Sequence, residues 1–190
     1  MEGFMDVIRA YTIDIKNTVA SMGTAVTKNQ ALLIKKLGKE VILCFDGDAA
    51  GAKATMACAD ELIALGVTPK VVRLENDMDP DDYIRKYGKE QFELRLKNPI
   101  SVMDFKLSYL KMGKNLNNSV DEAKYLNEAI KEIKKIDDDI LKEITIKKLI
   151  EETAIDENLI RNKIEVKKVD KPVQIKKIIK AKVDKYEMAE

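Results

Sequence analysis

Histidine and tryptophan are both absent from this 190-residue sequence, and aromatic residues make up only 5% of it. Without histidine the chain has no imidazole general base, no Ser-His-Asp triad and no His-ligated zinc. With so few aromatic rings, a protein that binds single strands by stacking bases on exposed side chains is not expected. These absences exclude several common kinds of catalytic and binding site.

Cysteine and long apolar runs are also scarce. The two cysteines, Cys44 and Cys58, lie in an apolar run and in the alanine-rich stretch after it, so we expect small buried hydrophobic residues in a reducing cytosol. No apolar stretch approaches membrane-spanning length, and the start of the chain lacks a signal-peptide pattern. The net charge of +1 does not by itself demand a nucleic-acid partner. We therefore expect a soluble, cytoplasmic protein.

The most informative stretch is residues 41–51, which read VILCFDGDAAG. The apolar run predicts a strand buried on both faces, and the alanines after it favour a helix. Asp46 and Asp48 therefore lie at the carboxyl end of a strand, where open α/β sheets bind ligands. Two carboxylates this close repel each other unless a cation or a shared proton intervenes, and Mg²⁺ bound through one or two carboxylates would meet that need.

Acids after a buried strand also occur in unrelated proteins. Haloacid-dehalogenase-type phosphatases place a nucleophilic aspartate and a second acid at the same point, and phospho-receiver domains carry acids at strand ends. Aspartate and glycine are also ordinary turn residues after a strand. The phosphatase hypothesis is weakened because no Thr or Val of the phosphatase kind follows Asp48.

The pattern along residues 1–98 predicts an α/β fold with a mostly parallel sheet flanked by helices. A short helix near the start would bury Met5, Val7, Ile8 and Tyr11. Residues 17–20 and 70–74 are predicted strands, and Thr27 is a predicted N-cap for a helix that ends at Gly38. Pro80 can occupy the first turn of a helix with an acid before it as the cap.

From about residue 99 the pattern becomes all-helical. Residues 119–122 form a predicted capping box, Asp156 is a further predicted N-cap, and apolar stripes in this half indicate packing rather than chemistry. We therefore divide the chain into an α/β domain (1–98), a helical subdomain (99–166) and a lysine-rich linker or C-terminal tail (167–190).

Several motifs together resemble one family, the Toprim domain of bacterial DnaG-type DNA primases. They occur in order along the chain: residues 2–7 (EGFMDV), 19–25 (VASMGTA), 45–51 (FDGDAAG), 79–81 (DPD) and 86–90 (KYGKE). Type IA and type II topoisomerases, OLD-type nucleases and RecR-like proteins share the Toprim superfamily. The helical half is similar to the helical subdomain that closes the primase polymerase region, so the resemblance runs from residue 2 to about 165.

The resemblance implies a DNA-directed RNA polymerase that makes short RNA primers on a single-stranded DNA template from nucleoside triphosphates. Glu2, Asp46 and Asp48 would be catalytic and would bind Mg²⁺ or Mn²⁺, with Asp79 and Asp81 completing the metal site. Asp6 matches an accessory acid. Lys53 could contact phosphate, although a solvated surface lysine is the simpler interpretation.

This sequence departs from the family pattern at both ends. Family members carry a strand directly before the glutamate, preceded by a basic subdomain and a zinc ribbon, and a helicase-binding domain at the C-terminus. We therefore expect a fragment of a primase, possessing neither those N-terminal parts nor the domain that binds the replicative helicase, and inactive by itself. The alternatives are another Toprim enzyme, such as a nuclease or topoisomerase-like strand cleaver, and an inactive scaffold that binds the helicase.

Overall fold

The computed structural model describes residues 1–23, 26–38, 40–75, 77–153 and 155–165. The described chain forms two compact units, one comprising residues 1–132 and the other beginning at Ile133. The division predicted from sequence has a boundary at residue 98, and that division remains a prediction. The predicted tail at 167–190 lies outside the described residues.

Helices dominate both units. In chain order the elements are α1 (Phe4–Thr12), α2 (Lys28–Leu37), β1 (Ile42–Leu43), α3 (Ala49–Ala64), β2 (Lys70–Val71), α4 (Pro80–Lys97), β3 (Ile100–Ser101), α5 (Val102–Lys111), α6 (Ser119–Ile133), α7 (Asp139–Thr153) and α8 (Glu157–Glu165). Within α4, Gly88 has φ 82° and breaks the helix into two segments. No helix in the described part of the chain is both long enough and apolar enough to span a membrane.

The sheet is narrow and mixed. β1 pairs with β2 in parallel, with Ile42 opposite Lys70, whereas β2 pairs with β3 in antiparallel, with Val71 opposite Ile100. A sheet of mostly parallel strands was expected, and the strands assigned in the described residues confirm only the β1–β2 pair. The antiparallel strand was missed because two residues are too few to show any periodicity.

A further parallel contact lies at the start of the chain. The Met1 nitrogen donates to the Val19 carbonyl at 3.1 Å, and the Ser21 N–H donates to the Met1 carbonyl at 3.1 Å. This pair of bonds is the pattern of a parallel ladder. The predicted strand at 17–20 is not assigned as a strand, but the segment around Val19 pairs with the residues that carry Glu2.

The two faces of the sheet are both covered, as the apolar run predicted. Alternate side chains point to opposite sides, so Leu43 and Phe45 join one buried cluster and Cys44 joins the other. The first cluster packs against α3 and α5, and the second includes Tyr83, Ile84 and Phe92 of α4. Burying each large apolar side chain contributes about 1.5–3 kcal/mol, so these two layers hold the strand ends in place.

Local cap chemistry determines where most helices begin. Thr27 accepts a hydrogen bond from the Gln30 N–H, and Gly38 caps the other end of α2, as predicted. Asp156 accepts from the Leu159 N–H at the start of α8, also as predicted. For α6 the prediction was one residue late, because the Asn118 side chain, rather than Ser119, accepts the first free N–H groups.

Helix α1 forms as predicted, but the opposite face of the helix is buried. Its apolar side chains are exposed, with Ile8 at 53% and Tyr11 at 61%, whereas Asp6 and Ala10 are buried. The predicted burial of Met5, Ile8 and Tyr11 was therefore wrong. The reason is the polar network around Asp6 described below, which turns the charged side of α1 toward α4.

Lys106 is a buried lysine that pairs with two carboxylates. Lys106 is only 8% exposed at its side chain and donates to Asp60 at 2.6 Å and Glu132 at 3.0 Å. We expect Lys106→Met to lower the free energy of unfolding by about 1–2 kcal/mol, because a partly buried carboxylate loses its cation. The matched control is Lys70→Met, whose pair with Glu40 is exposed and contributes less than about 1 kcal/mol. Equal losses in the two variants, measured by thermal unfolding, would contradict this account.

Candidate functional site

The site is built around the loop that follows β1. Asp46 and Asp48 flank Gly47, whose N–H donates to the Met78 carbonyl at 2.9 Å. A Cβ atom at Gly47 would approach the Leu74 carbonyl oxygen to 3.0 Å, so a side chain here would push the two loops slightly apart. The loop after β1 and the loop after β2 are therefore held side by side at the carboxyl ends of the two parallel strands.

Asp46 carries the most unusual side chain in this loop. Its Oδ1 atom is buried and has no hydrogen-bond partner among the described residues. Burial, together with the carboxylates of Glu2, Asp6, Asp79 and Asp48, raises the pKa of Asp46 to about 6. Buried carboxylate oxygens are normally hydrogen-bonded, so an orphaned one in a negative field indicates a site for a cation.

Asp48 and Asp79 occupy equivalent positions at the starts of two helices. Asp48 is the N-cap of α3 and accepts from the Gly51 N–H at 2.7 Å. Asp79 is the N-cap of α4 and accepts from the Asp82 N–H at 2.7 Å. Each cap interaction uses one carboxylate oxygen and leaves the other available to a ligand.

Glu2, near the start of the chain, interacts electrostatically with the same aspartates. It is partly buried just before α1, and burial together with Asp48 and Asp6 raises the pKa of its carboxyl group. The Met22 N–H donates to the Glu2 carbonyl at 3.0 Å, which fixes this backbone next to the 19–22 segment. Glu2, Asp48 and Asp79, which come from three separate parts of the sequence, all act electrostatically on Asp46, and their assignment as metal ligands stays a prediction.

Asp81 is not brought to that group. Its carboxylate accepts hydrogen bonds from the Arg9 Nε at 2.5 Å and from the Arg85 Nε at 3.0 Å, and these two arginines hold its pKa below the usual range, Arg85 having the larger effect. Asp6, in contrast, is buried and accepts from the Gly3 and Asp81 backbone N–H groups. Lys53 is exposed on α3.

Whether these carboxylates fit a divalent metal depends on what that metal needs. Among the described residues, no three acidic, cysteine or histidine side chains lie close enough to form a ready-made metal cage. Mg²⁺ does not require one, since it is held by one or two carboxylates and keeps several waters or substrate oxygens. The buried, partnerless oxygen of Asp46 in a field of further acids fits such a weakly caged ion.

The sequence did not reveal every residue that shapes this site. Arg9 and Arg85 were missed. The pair between Arg9 and Asp81 joins residues 72 positions apart and leaves no local pattern, whereas the i, i+4 spacing of Asp81 and Arg85 was an available signal. Gly51 was also missed, although a Cβ there would overlap the Asp46 carbonyl oxygen and lie 2.9 Å from the Asp46 Cα. A glycine in the first turn of an otherwise alanine-rich helix was the available signal.

Family models and curated relatives both relate this chain to DNA primases. A family model described as Toprim-like matches residues 1–84, and one described as the DnaB-helicase binding domain of primase matches residues 103–158. The DNA primase of Halalkalibacterium halodurans is 41% identical over 155 residues, which make up 81% of this chain and 26% of that protein. The chain thus spans about a quarter of the length of the curated relatives it matches.

Solved structures show the same relationship. A DNA primase domain from Pseudomonas aeruginosa superposes with a TM-score of 0.65 at 25% identity, covering 86% of this chain and 52% of that one. A DnaG primase catalytic domain bound to ssDNA gives a TM-score of 0.65 at 28% identity and covers 83% of this chain and 51% of that one. The match of a helicase-binding model to residues 103–158 also corrects the expectation that such a domain lies wholly outside this sequence.

Proposed function

This chain belongs to the bacterial DnaG-type primase family, and from that membership we propose that it forms part of the catalytic core of a DNA primase. Such an enzyme would be a DNA-directed RNA polymerase that joins nucleoside triphosphates into short primers on a single-stranded DNA template. The mostly parallel Toprim sheet of the family would then be completed around the β1–β2 pair and the parallel contact between Met1 and Val19. Work on a replicating bacterial chromosome would place the protein in the cytoplasm.

The observation that carries this proposal is the buried Asp46 Oδ1 atom, which has no hydrogen-bond partner among the described residues. A buried carboxylate oxygen without a partner, surrounded by other acids, is costly to the folded chain unless a cation binds there. We propose that Glu2, Asp46, Asp48 and Asp79 hold Mg²⁺ or Mn²⁺ together with water and the phosphates of the substrate. When bound, such an ion neutralises a triphosphate and the charge that develops on the leaving pyrophosphate.

The chain's own groups would prepare the site for that substrate. Two aspartates cap helices α3 and α4, so their carboxylates are fixed before any ligand arrives. The N-termini of these helices carry partial positive charge, which favours phosphate oxygens close by. Glu2, on a different segment, would lie near the primer hydroxyl. Lys53, exposed on α3, would be free to contact phosphate.

Two further partners follow from the same proposal. A related catalytic domain has been seen bound to ssDNA, which supports a single-stranded DNA template. The helicase-binding family model on residues 103–158 supports contact with the replicative helicase through the helical half. The alternative of another Toprim enzyme is not favoured, because the curated relatives are DNA primases.

A chimeric enzyme tests the function directly. We expect the Halalkalibacterium halodurans primase, with its matching segment replaced by the matched 155 residues of this chain, to make primers on single-stranded DNA with Mg²⁺ and ribonucleotides. Asp46→Asn in the chimera should reduce primer synthesis by roughly a hundredfold or more, because it removes a carboxylate that would hold the metal ion needed to neutralise the developing charge. The control is Glu61→Gln, an exposed acid of α3, which should leave synthesis unchanged. A folded chimera without activity, or one insensitive to Asp46→Asn, would contradict the proposal.

A further inference from the structure

Asp81 sits at the centre of a network that joins α1 to α4. Its Oδ1 accepts from the Arg9 Nε at 2.5 Å and from the Arg85 Nε at 3.0 Å, and its Oδ2 pairs with Arg85 at 2.8 Å. Arg9 lies on α1 and Arg85 one turn further along α4. Both oxygens of Asp81 are therefore already occupied by guanidinium groups.

A second link runs beside the first, through Asp6. The Asp6 Oδ1 accepts from the Asp81 N–H at 3.2 Å, and its Oδ2 accepts from the Gly3 N–H at 3.0 Å. One carboxylate thus bridges the first turn of α4 and the residue that caps α1. We refer to Asp6, Arg9, Asp81 and Arg85 as the α1–α4 clamp.

The clamp holds backbone that directly neighbours two of the proposed metal-binding acids along the chain. Gly3 follows Glu2 directly, and Asp81 is two residues beyond Asp79. Fixing Gly3 and Asp81 to the same carboxylate therefore fixes the backbone next to Glu2 relative to the backbone next to Asp79. Charge-assisted hydrogen bonds are roughly twice as strong as neutral ones, so this connection is a firm one.

We propose that Asp81 is a positioning residue, held by Arg9 and Arg85, that fixes the Glu2 and Asp79 carboxylates relative to each other and does not itself bind metal. The proposal rests on the proposed function, because it assigns a role within the same site. A metal bound to Asp81 would have to displace two guanidinium groups. Arg9 and Arg85 become positioning residues that act through Asp81.

Two measurements on the full chain test this. The first is hydrogen exchange of the Gly3, Ser21 and Met22 amides, which donate to Asp6, Met1 and Glu2. Both Arg9→Gln and Asp81→Asn remove the charge-assisted hydrogen bond between Arg9 and Asp81 that holds α1 to α4. The three amides should then exchange roughly tenfold faster, while amides of α3 keep their rates. Arg9→Lys, which keeps the charge, should restore most of the protection.

The second measurement is binding of Mn²⁺ alone, followed by its electron paramagnetic resonance signal. Asp81→Asn should retain the wild-type number of bound ions with weaker affinity, whereas Asp46→Asn should lose the site. The matched control for both measurements is Arg161→Gln, which breaks a pair with Glu143 in the second compact unit and should change neither.

The outcomes separate this inference from the proposed function. Unchanged exchange in Arg9→Gln and Asp81→Asn would overturn the clamp, as would loss of the Mn²⁺ site in Asp81→Asn equal to that in Asp46→Asn. A wild-type chain that binds no Mn²⁺ would instead count against the proposed function. The exchange rates alone would then decide whether the clamp holds α1 to α4.

Discussion

Asp46→Asn should make the chain more stable than the wild type at neutral pH when no divalent cation is present. The pKa of Asp46 is raised to about 6 in the folded chain, from an ordinary value of 3.8. Between these values the folded state binds more protons than the unfolded state, so stability falls as the pH rises. Above about pH 6 the full cost of the charge is present, and because solvent screens this partly exposed carboxylate the cost should be well below about 3 kcal/mol.

The pH dependence of the difference between the two proteins is the first check. Near pH 4 the wild-type carboxyl is largely protonated in the folded state, so the two Tm values should lie close together. Toward pH 7 the Tm of Asp46→Asn should exceed that of the wild type, because asparagine keeps the shape and removes the charge. A variant less stable than the wild type at pH 7 in the presence of EDTA would contradict the argument.

With divalent cations present, the wild type should instead have a higher Tm than Asp46→Asn. A cation present at about 100 times its dissociation constant stabilises the folded state by about 2.7 kcal/mol, and this gain needs the Asp46 carboxylate. We expect Mg²⁺ or Mn²⁺ to raise the Tm of the wild type and of the Glu61→Gln control, and to leave Asp46→Asn unchanged. A full cation response in Asp46→Asn would rule out Asp46 as a ligand.

Gly51→Ala should destabilise the chain although alanine is the better helix former. A Cβ at this position would overlap the Asp46 carbonyl oxygen and lie 2.8 Å from its carbonyl carbon, so backbone must move. Forcing atoms into a well-packed site costs about 1–3 kcal/mol, which outweighs a helix-propensity gain of at most about 1 kcal/mol. Because the displaced backbone belongs to Asp46, the Tm response to Mg²⁺ should weaken as well.

Two other glycines provide a graded control. At Gly47 the added atom would meet backbone at 3.0–3.2 Å, and at Gly23 it would meet nothing within 4 Å. The loss of Tm on substitution by alanine should therefore follow the order Gly51, Gly47, Gly23, with almost none at Gly23. A Tm for Gly51→Ala at or above that of the wild type would show that helix propensity dominates.

The features predictable from sequence were those determined by neighbours along the chain. Thr27 and Asp156 were recognised as caps because the interaction spans three residues. The doubly buried strand was recognised because its apolar run is continuous. The antiparallel position of β3 was not, since it depends on a pairing between short and distant segments.

The two acids of the DPD motif show the same limit within the site. Asp79 and Asp81 look equivalent in sequence, yet one is the N-cap and the other lies in the first turn of α4. Successive helical positions point in different directions, so the second carboxylate faces α1. There it meets Arg9, which lies 72 positions away in sequence, as well as Arg85 one turn along its own helix.

The break at Gly88 changes how the charges of α4 should be understood. Taken as one helix, residues 80–97 have acids in the first turn and bases in the last, with further charges of both signs between them. Taken as two helices, the first has Asp81 and Asp82 before Arg85 and Lys86. The second begins with Lys89 and Glu90 and ends with Arg95 and Lys97. Each segment therefore has its own dipole, which nearby charges complement at both ends of the first segment and at the C-terminal end of the second.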